Sequence, residues 1–255
     1  MTDFSANLGF LWADRSLPDA IFAAKAAGFH AVECHWPYDV PAKQVKAALD
    51  ATELKMLSLN TRPGDLPAGD FGLSALAGRQ SEAMNAITEA LDYAAAINAA
   101  AIHVMAGNAE GPKAHKTFVQ NLSDACSLAK PYGVTILIEP LNRFDAPQYF
   151  LRNAAQARGI IEEVDQSNLK LMFDCYHVAS TEGDVVGSFQ AFLPIIGHVQ
   201  FASVPDRDAP DRGTVDYQRV FAEIARCGWD RPLGAEYRPR QDTDETLSWL
   251  TDFNR

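Results

Sequence analysis

The sequence predicts an α/β fold, a single (β/α)8 TIM barrel spanning residues 1–255, and three observations carry that expectation. Eight short apolar runs bounded by turn residues alternate with eight segments of helical periodicity, which is the order and number of a closed barrel. The last four runs each stop on a residue able to bind a cation, and barrels of this kind build their sites at the carboxyl ends of the strands. The loop after the first run reads FLWADRSLP, without the GxGxxG that announces a doubly wound dinucleotide-binding sheet.

The strand-like runs fall near 4–10, 29–34, 55–60, 100–105, 134–139, 169–174, 197–202 and 232–237. Helical periodicity fills 17–27, 41–52, 75–97, 114–131, 148–164, 185–193, 216–227 and 242–253. Local chemistry marks the junctions. Ser16 stands ahead of Leu17-Pro18-Asp19 as a cap with proline in the first turn, and Gly28 follows as a stop. Gly133 and Gly228 occupy the same place before the fifth and eighth runs. The one long irregular stretch, TRPGDLPAGDFGLS at 61–74, follows the third strand and reads either as a lid or pocket wall or as a solvated excursion. Trp12, Trp36 and Tyr38 follow strands one and two, where they would line a pocket or simply pack.

Hydrophobic residues make up 47% of the chain, enough for a sizeable core. A formal net charge of −11 repels phosphate backbones and anionic lipid, so neither nucleic acid nor a membrane is an expected partner. The N-terminal MTDFSANLGFLWADRS lacks the features of a secretory signal, and no apolar stretch approaches the roughly 18 residues of a membrane span; a cytoplasmic location is the expectation. Cys34, Cys126, Cys175 and Cys227 form no CxxC pair and are expected to be buried free thiols. The aromatic tail from Trp249 to Phe253 offers a surface for self-association.

The chemistry concentrates at four strand ends. VTILIEP stops at Glu139, LKLMFD at Asp174, GHVQ at Gln200 and PLGAE at Glu236. Three carboxylates and an amide carbonyl make a hard, oxygen-only set suited to Mg2+ or Mn2+ rather than zinc. Three such carboxylates, if buried together, would repel one another unless a cation sat among them. The alternative is that each caps a strand or pairs with an arginine on the rim. His177, three residues after Asp174 in FDCYH, is placed either to orient a substrate oxygen or to make a structural hydrogen bond. His198 points to the same side as Gln200 by strand alternation and reads as packing or as support for Gln200. Arg207, in FASVPDRDAPDRG, is placed to clamp an anionic substrate or to join a mixed-charge surface.

Along nearly its full length the sequence resembles the hydroxypyruvate isomerase family, within the xylose-isomerase-like barrel enzymes. The resemblance rests on SANLGFLW, AGFHAVECHWPYD, IEPLN, FDCYH, GHVQFA and GAEYRP in their order and spacing. It implies a metal-assisted isomerase interconverting hydroxypyruvate and tartronate semialdehyde through an enediolate. It also implies that Glu139, Asp174, Gln200 and Glu236 are metal ligands and that Glu139 and Glu236 are the paired proton donor and acceptor. His177 and Arg207 match substrate-contacting positions of related sugar epimerases, which commonly have His where this chain has Gln200; that difference favours the hydroxypyruvate branch. Relatives more often carry Gly and His beside the arginine, whereas here Asp206 and Asp208 add negative charge near it. The substrate is then a small hydroxy-oxo acid or sugar, and a dimer or tetramer is expected. A 2-oxo-tetronate isomerase or a ketose 3-epimerase is the nearest alternative on the same site. A non-catalytic sugar-acid binding protein or a metal-dependent endonuclease is more distant.

Overall fold

The computed structural model describes residues 2–253 and closes as expected: eight parallel strands in the order of the chain, with the first paired to the last. The strands are β1 Phe4–Asn7, β2 Ala31–Cys34, β3 Lys55–Asn60, β4 Ala101–His103, β5 Thr135–Ile138, β6 Leu169–Asp174, β7 Ile196–Phe201 and β8 Leu233–Ala235. Around them lie α1 Leu17–Ala27, α2 Ala42–Thr52, α3 Gln80–Ile97, α4 Gly111–Ala129, α5 Ala154–Val164, α6 Cys175–Thr181, α7 Val185–Phe192, α8 Tyr217–Arg226 and α9 Ser248–Asp252. Ser16 accepts from the Asp19 N–H to open α1, and Gly28 closes it at φ 94°. None of the described helices is long and apolar enough to cross a membrane.

Two apolar layers hold the barrel. Outward-facing strand residues such as Leu59, Ile102, Ile136, Ile138 and Val199 are fully buried against the helices, each side chain contributing about 1.5–3 kcal/mol relative to exposure. Inside, period-two alternation sorts the strands into rings. The upper ring, facing the carboxyl-end loops, draws one polar residue from or just past each strand: Asn7, His35, Asn60, His103, Glu139, Asp174, Gln200 and Glu236. Beneath it, Ala101, Leu137 and Met172 form a small apolar floor on one side.

Four expectations need correction. Segment 175–184 is not simply loop: the chain turns helical at once after β6, because the Asp174 side chain accepts the Tyr176 N–H at 2.8 Å and starts α6. The helix expected from residue 148 begins only at Ala154, capped by Asn153, and 140–153 is irregular wall. Most of the Trp249 tail is not free aromatic surface: Trp249 is fully buried, its ring 5.1 Å from Phe4 and 5.6 Å from Phe201, and of its aromatic residues only Phe253 is partly exposed. Cys34, Cys126 and Cys175 are buried thiols, but Cys227 is partly exposed.

Stretch 61–74 is pinned rather than free. Gly72 sits at φ 110°, and a Cβ there would come within 2.7 Å of the Gly107 nitrogen and Met105 oxygen, so backbone packs directly on backbone. Phe71, next to that crossing, faces the central cavity and packs against Tyr149.

Candidate active site

The described residues leave a cavity of roughly 280 Å3 at the carboxyl end of the barrel, with Glu139, His177, Arg207 and Glu236 in its lining. All six sequence-predicted residues converge at this end. Glu139, Asp174, Gln200 and Glu236 are buried, and so is His177.

Glu236, one residue past β8, is the best-partnered carboxylate. Its Oε1 accepts from Asn7 Nδ2 at 3.0 Å and from His35 Nε2 at 3.1 Å, and its Oε2 accepts from Arg207 at 2.5 Å. Burial alone would raise its pKa; Arg207 and then His35 overcome that and hold it down to about 2. These contacts explain part of the SANLGFLW run. The Asn7 amide is oriented because its Oδ1 takes the Gly9 N–H at 2.9 Å, leaving Nδ2 for Glu236. Gly9 leaves room for His35, whose ring would lie 2.2 Å from a Cβ there, and the Phe10 edge packs on the same ring.

The other acids are poorly satisfied. Glu139 Oε1, Asp174 Oδ2 and Gln200 Oε1 are buried without a hydrogen-bond partner, and so is His177 Nε2. His177 Nε2 lies 3.7 Å from Glu139 Oε1 and 3.6 Å from Asp174 Oδ2; Arg207 approaches the same Asp174 oxygen at 3.7 Å. Burial first, then Glu236 and Asp174, push the Glu139 carboxyl well above the usual carboxylate range. Asp174 is lifted to about 7 by burial, with Arg207 opposing and Glu236 adding. Three of these four buried orphan atoms are hard oxygens, a donor set of the kind a divalent cation would satisfy. The donors fit a divalent ion.

His177 has a fixed tautomer. Its Nδ1 accepts the Asn142 backbone N–H at 3.0 Å, so in the neutral ring the proton sits on Nε2. The Asn142 amide reinforces this: its oxygen takes the Phe144 and Asp145 N–H groups, and its nitrogen donates to Asp145 and to His177 Nδ1. Burial, then Arg207, hold the imidazole neutral by lowering its pKa to about 3. Although Glu139, Asp174 and His177 each offer an atom within 4.8 Å of the others, His177 therefore presents a donor and not a lone pair.

Arg207 sits in the left-handed region at φ 53°, its guanidinium between the rings of Phe10 at 5.1 Å and Tyr176 at 5.0 Å. Asp206 and Asp208 do not compete for it. Arg240 pairs with both, at 2.6 and 3.2 Å, and Arg212 with Asp208 at 3.3 Å. Of the expected aromatic wall only Trp36 lines the cavity, joined by Phe10 and Phe71. Trp12 is buried against Phe29, and Tyr38 packs on Tyr93.

Five upper-ring or neighbouring residues escaped the sequence reading. His35 and Asn7 hold Glu236, and Asn60 lines the cavity. His103 Nδ1 lies 3.6 Å from Glu139 Oε2, with burial lowering its pKa to about 4. Arg238 lines the mouth, exposed, its guanidinium 5.1 Å from the Phe10 ring and its N–H bonded to the Arg207 carbonyl at 2.7 Å. Counting two residues on from Glu236 would have found Arg238; the others needed the fold.

Comparison with known proteins places this geometry. The family model for xylose isomerase-like TIM barrels matches residues 21–253. A 2-oxo-tetronate isomerase from Cupriavidus necator is 41% identical over 99% of both chains. The hydroxypyruvate isomerase of Escherichia coli K12 is 31% identical, covering 99% of this chain and 100% of its own. A crystal structure named AP endonuclease, family 2, from Brucella melitensis superposes with a TM-score of 0.95 at 33% identity over 99% of each chain. The chain belongs to the xylose isomerase-like TIM-barrel family, alongside isomerases named for hydroxypyruvate and 2-oxo-tetronate.

Proposed function

We propose that this protein is a divalent-metal-dependent isomerase of small hydroxy-oxo acids, acting on hydroxypyruvate or its four-carbon counterpart 2-oxo-tetronate. The observation that carries the reading is the set of buried oxygens without partners, Glu139 Oε1, Asp174 Oδ2 and Gln200 Oε1, beside the neutral donor His177 Nε2. Glu139, Asp174, Gln200 and Glu236 would hold Mg2+ or Mn2+. Bound there, the ion supplies Lewis acidity that stabilises the enediolate oxygens of the substrate.

The residues divide the remaining work. Glu236, kept ionised by three donors, accepts the proton from the hydroxyl-bearing carbon. Glu139, on the β5 side of the cavity, delivers a proton to the neighbouring carbon, and the hydroxyl proton passes from one substrate oxygen to the other, so the hydroxyl and carbonyl exchange places with no net change in composition. His177 Nε2–H orients a substrate oxygen. Arg207, already committed to Glu236 and Asp174, balances the acids, while Arg238 makes no ion pair among the described residues and is the cation open to the substrate carboxylate.

Full-length relatives named for both acids support this substrate class, and the 41% relative named for 2-oxo-tetronate keeps the four-carbon acid as an equal reading. An endonuclease reading suits the name of the Brucella structure. It fits this chain poorly, since the formal charge is −11 and Glu139, Asp145 and Glu236 are among the residues lining the cavity. The test is turnover. EDTA-stripped protein should lose isomerisation of hydroxypyruvate and 2-oxo-tetronate and regain it with Mn2+ or Mg2+; full activity of rigorously metal-free protein refutes the reading.

A further inference from the structure

Below the cavity, a fully buried carboxylate has no part in the chemistry described. Glu33 of β2 is 0% exposed, and four donors converge on it from three other strands, β1, β3 and β7. Its Oε2 accepts from Gln200 Nε2 at 2.9 Å, His198 Nε2 at 2.9 Å and Ser58 Oγ at 3.3 Å; its Oε1 accepts from Ser5 Oγ at 3.4 Å. The fold makes room for it. Gly234, the register partner of Gln200 on β8, could carry no side chain, because a Cβ would lie 2.0 Å from Glu33 Oε1 and 3.0 Å from Gln200 Cγ.

A terminal amide has two ends of opposite character, and a carboxylate only accepts. Once Gln200 Nε2 is fixed on Glu33, the amide oxygen must face the other way, and Gln200 Oε1 is one of the buried oxygens without a partner. We infer that Glu33 is the positioning residue for the metal centre: it selects which end of Gln200 faces the ion. An amide free to rotate would offer N–H groups to a cation half of the time and bind it poorly. His198 and the two serines hold Glu33 in turn, which gives His198 a role through Glu33 rather than through Gln200 directly.

This inference rests on the metal reading, and Mn2+ titration followed by electron paramagnetic resonance separates the two. Wild-type protein that takes up no Mn2+ overturns both. Given wild-type binding, Glu33→Leu, similar in size but without an acceptor, should weaken Mn2+ affinity about 10- to 100-fold. Glu33→Gln keeps an acceptor oxygen for Gln200 and should stay within about threefold of wild type, on the same reasoning. Folded Glu33→Leu that binds Mn2+ as wild type does, or Glu33→Gln that loses binding as fully as Glu33→Leu, overturns the inference. Should Glu33→Leu not fold, the Mn2+-loaded wild-type crystal decides: Gln200 spanning Glu33 and the ion sustains the inference, and Gln200 turned away from the ion overturns it.

Discussion

Replacing Arg207 by methionine tests the idea that the acids of this cavity need a cation to stay together. The Arg207 side chain is only 12% exposed, with one nitrogen 2.5 Å from Glu236 and 3.7 Å from Asp174. Arg207→Met keeps much of the aliphatic packing against Phe10 and Tyr176 but strands those two carboxylates in a buried site beside Glu139. Removing one partner of a buried ion pair costs about 3–5 kcal/mol. The low end applies at neutral pH, because the stranded carboxylates can take up protons instead of staying charged. For a chain of this size, about 3 kcal/mol corresponds to a Tm lower by roughly 6–12 °C. The measurement is thermal unfolding by circular dichroism at pH 7, in EDTA and with Mn2+. The metal-free variant should show the full drop, and Mn2+ should narrow the gap to wild type because the ion supplies the missing positive charge. Lowering the pH to 5 should narrow it too. A metal-free variant that melts within about 2 °C of wild type would show, on the same scale, that the acid cluster needs no counter-charge.

Three further outcomes follow from the geometry. Glu236→Gln should lower kcat about 10²- to 10⁴-fold. The change also removes a candidate metal ligand and the nearest partner of Arg207, which keeps Asp174 at 3.7 Å, so kcat is compared at saturating Mn2+ on folded protein; most of the turnover surviving would assign the proton acceptor elsewhere. Without a cation Asp174 titrates at about 7, so Mn2+ must displace its proton to bind. Affinity should therefore be full above about pH 8 and fall roughly tenfold per unit, per displaced proton, as pH drops through 7; calorimetry in two buffers at pH 7 that finds no proton release contradicts this. Arg238→Met should raise KM for 2-oxo acids about tenfold while leaving kcat and the response to uncharged ketoses nearly unchanged, the cost expected for losing one charge-assisted contact at an exposed mouth. An equal loss on charged and uncharged substrates would remove Arg238 from carboxylate recognition.

The parts of this molecule that were legible in the sequence are those set by local pattern. Apolar runs that end on Glu139, Asp174, Gln200 and Glu236 locate both the strands and one side of the upper ring, because a buried parallel strand can turn polar only where it leaves the core. Glu33 was hidden for the converse reason. It interrupts AVECHW from inside, and a charged residue within a strand gains meaning only when Ser5, Ser58, His198 and Gln200 arrive from other strands to satisfy it. Helix α6 was missed because seven residues are too few to show a period, and its start depends on Asp174 serving as both cap and candidate ligand. The concern over Asp206 and Asp208 dissolved through Arg240, more than thirty residues away, which no reading of the loop alone would connect to them.

The central claim is that four strand-end residues form one metal site in which histidine donates rather than ligates. Anomalous diffraction from Mn2+-soaked crystals tests it directly. A single ion bonded to Glu139, Asp174, Gln200 and Glu236, with His177 Nε2 directed to a substrate or solvent oxygen and its Nδ1 still on Asn142, is the predicted result. An ion bonded to His177 Nε2, or one lodged outside the cavity with these four side chains unligated, would contradict it.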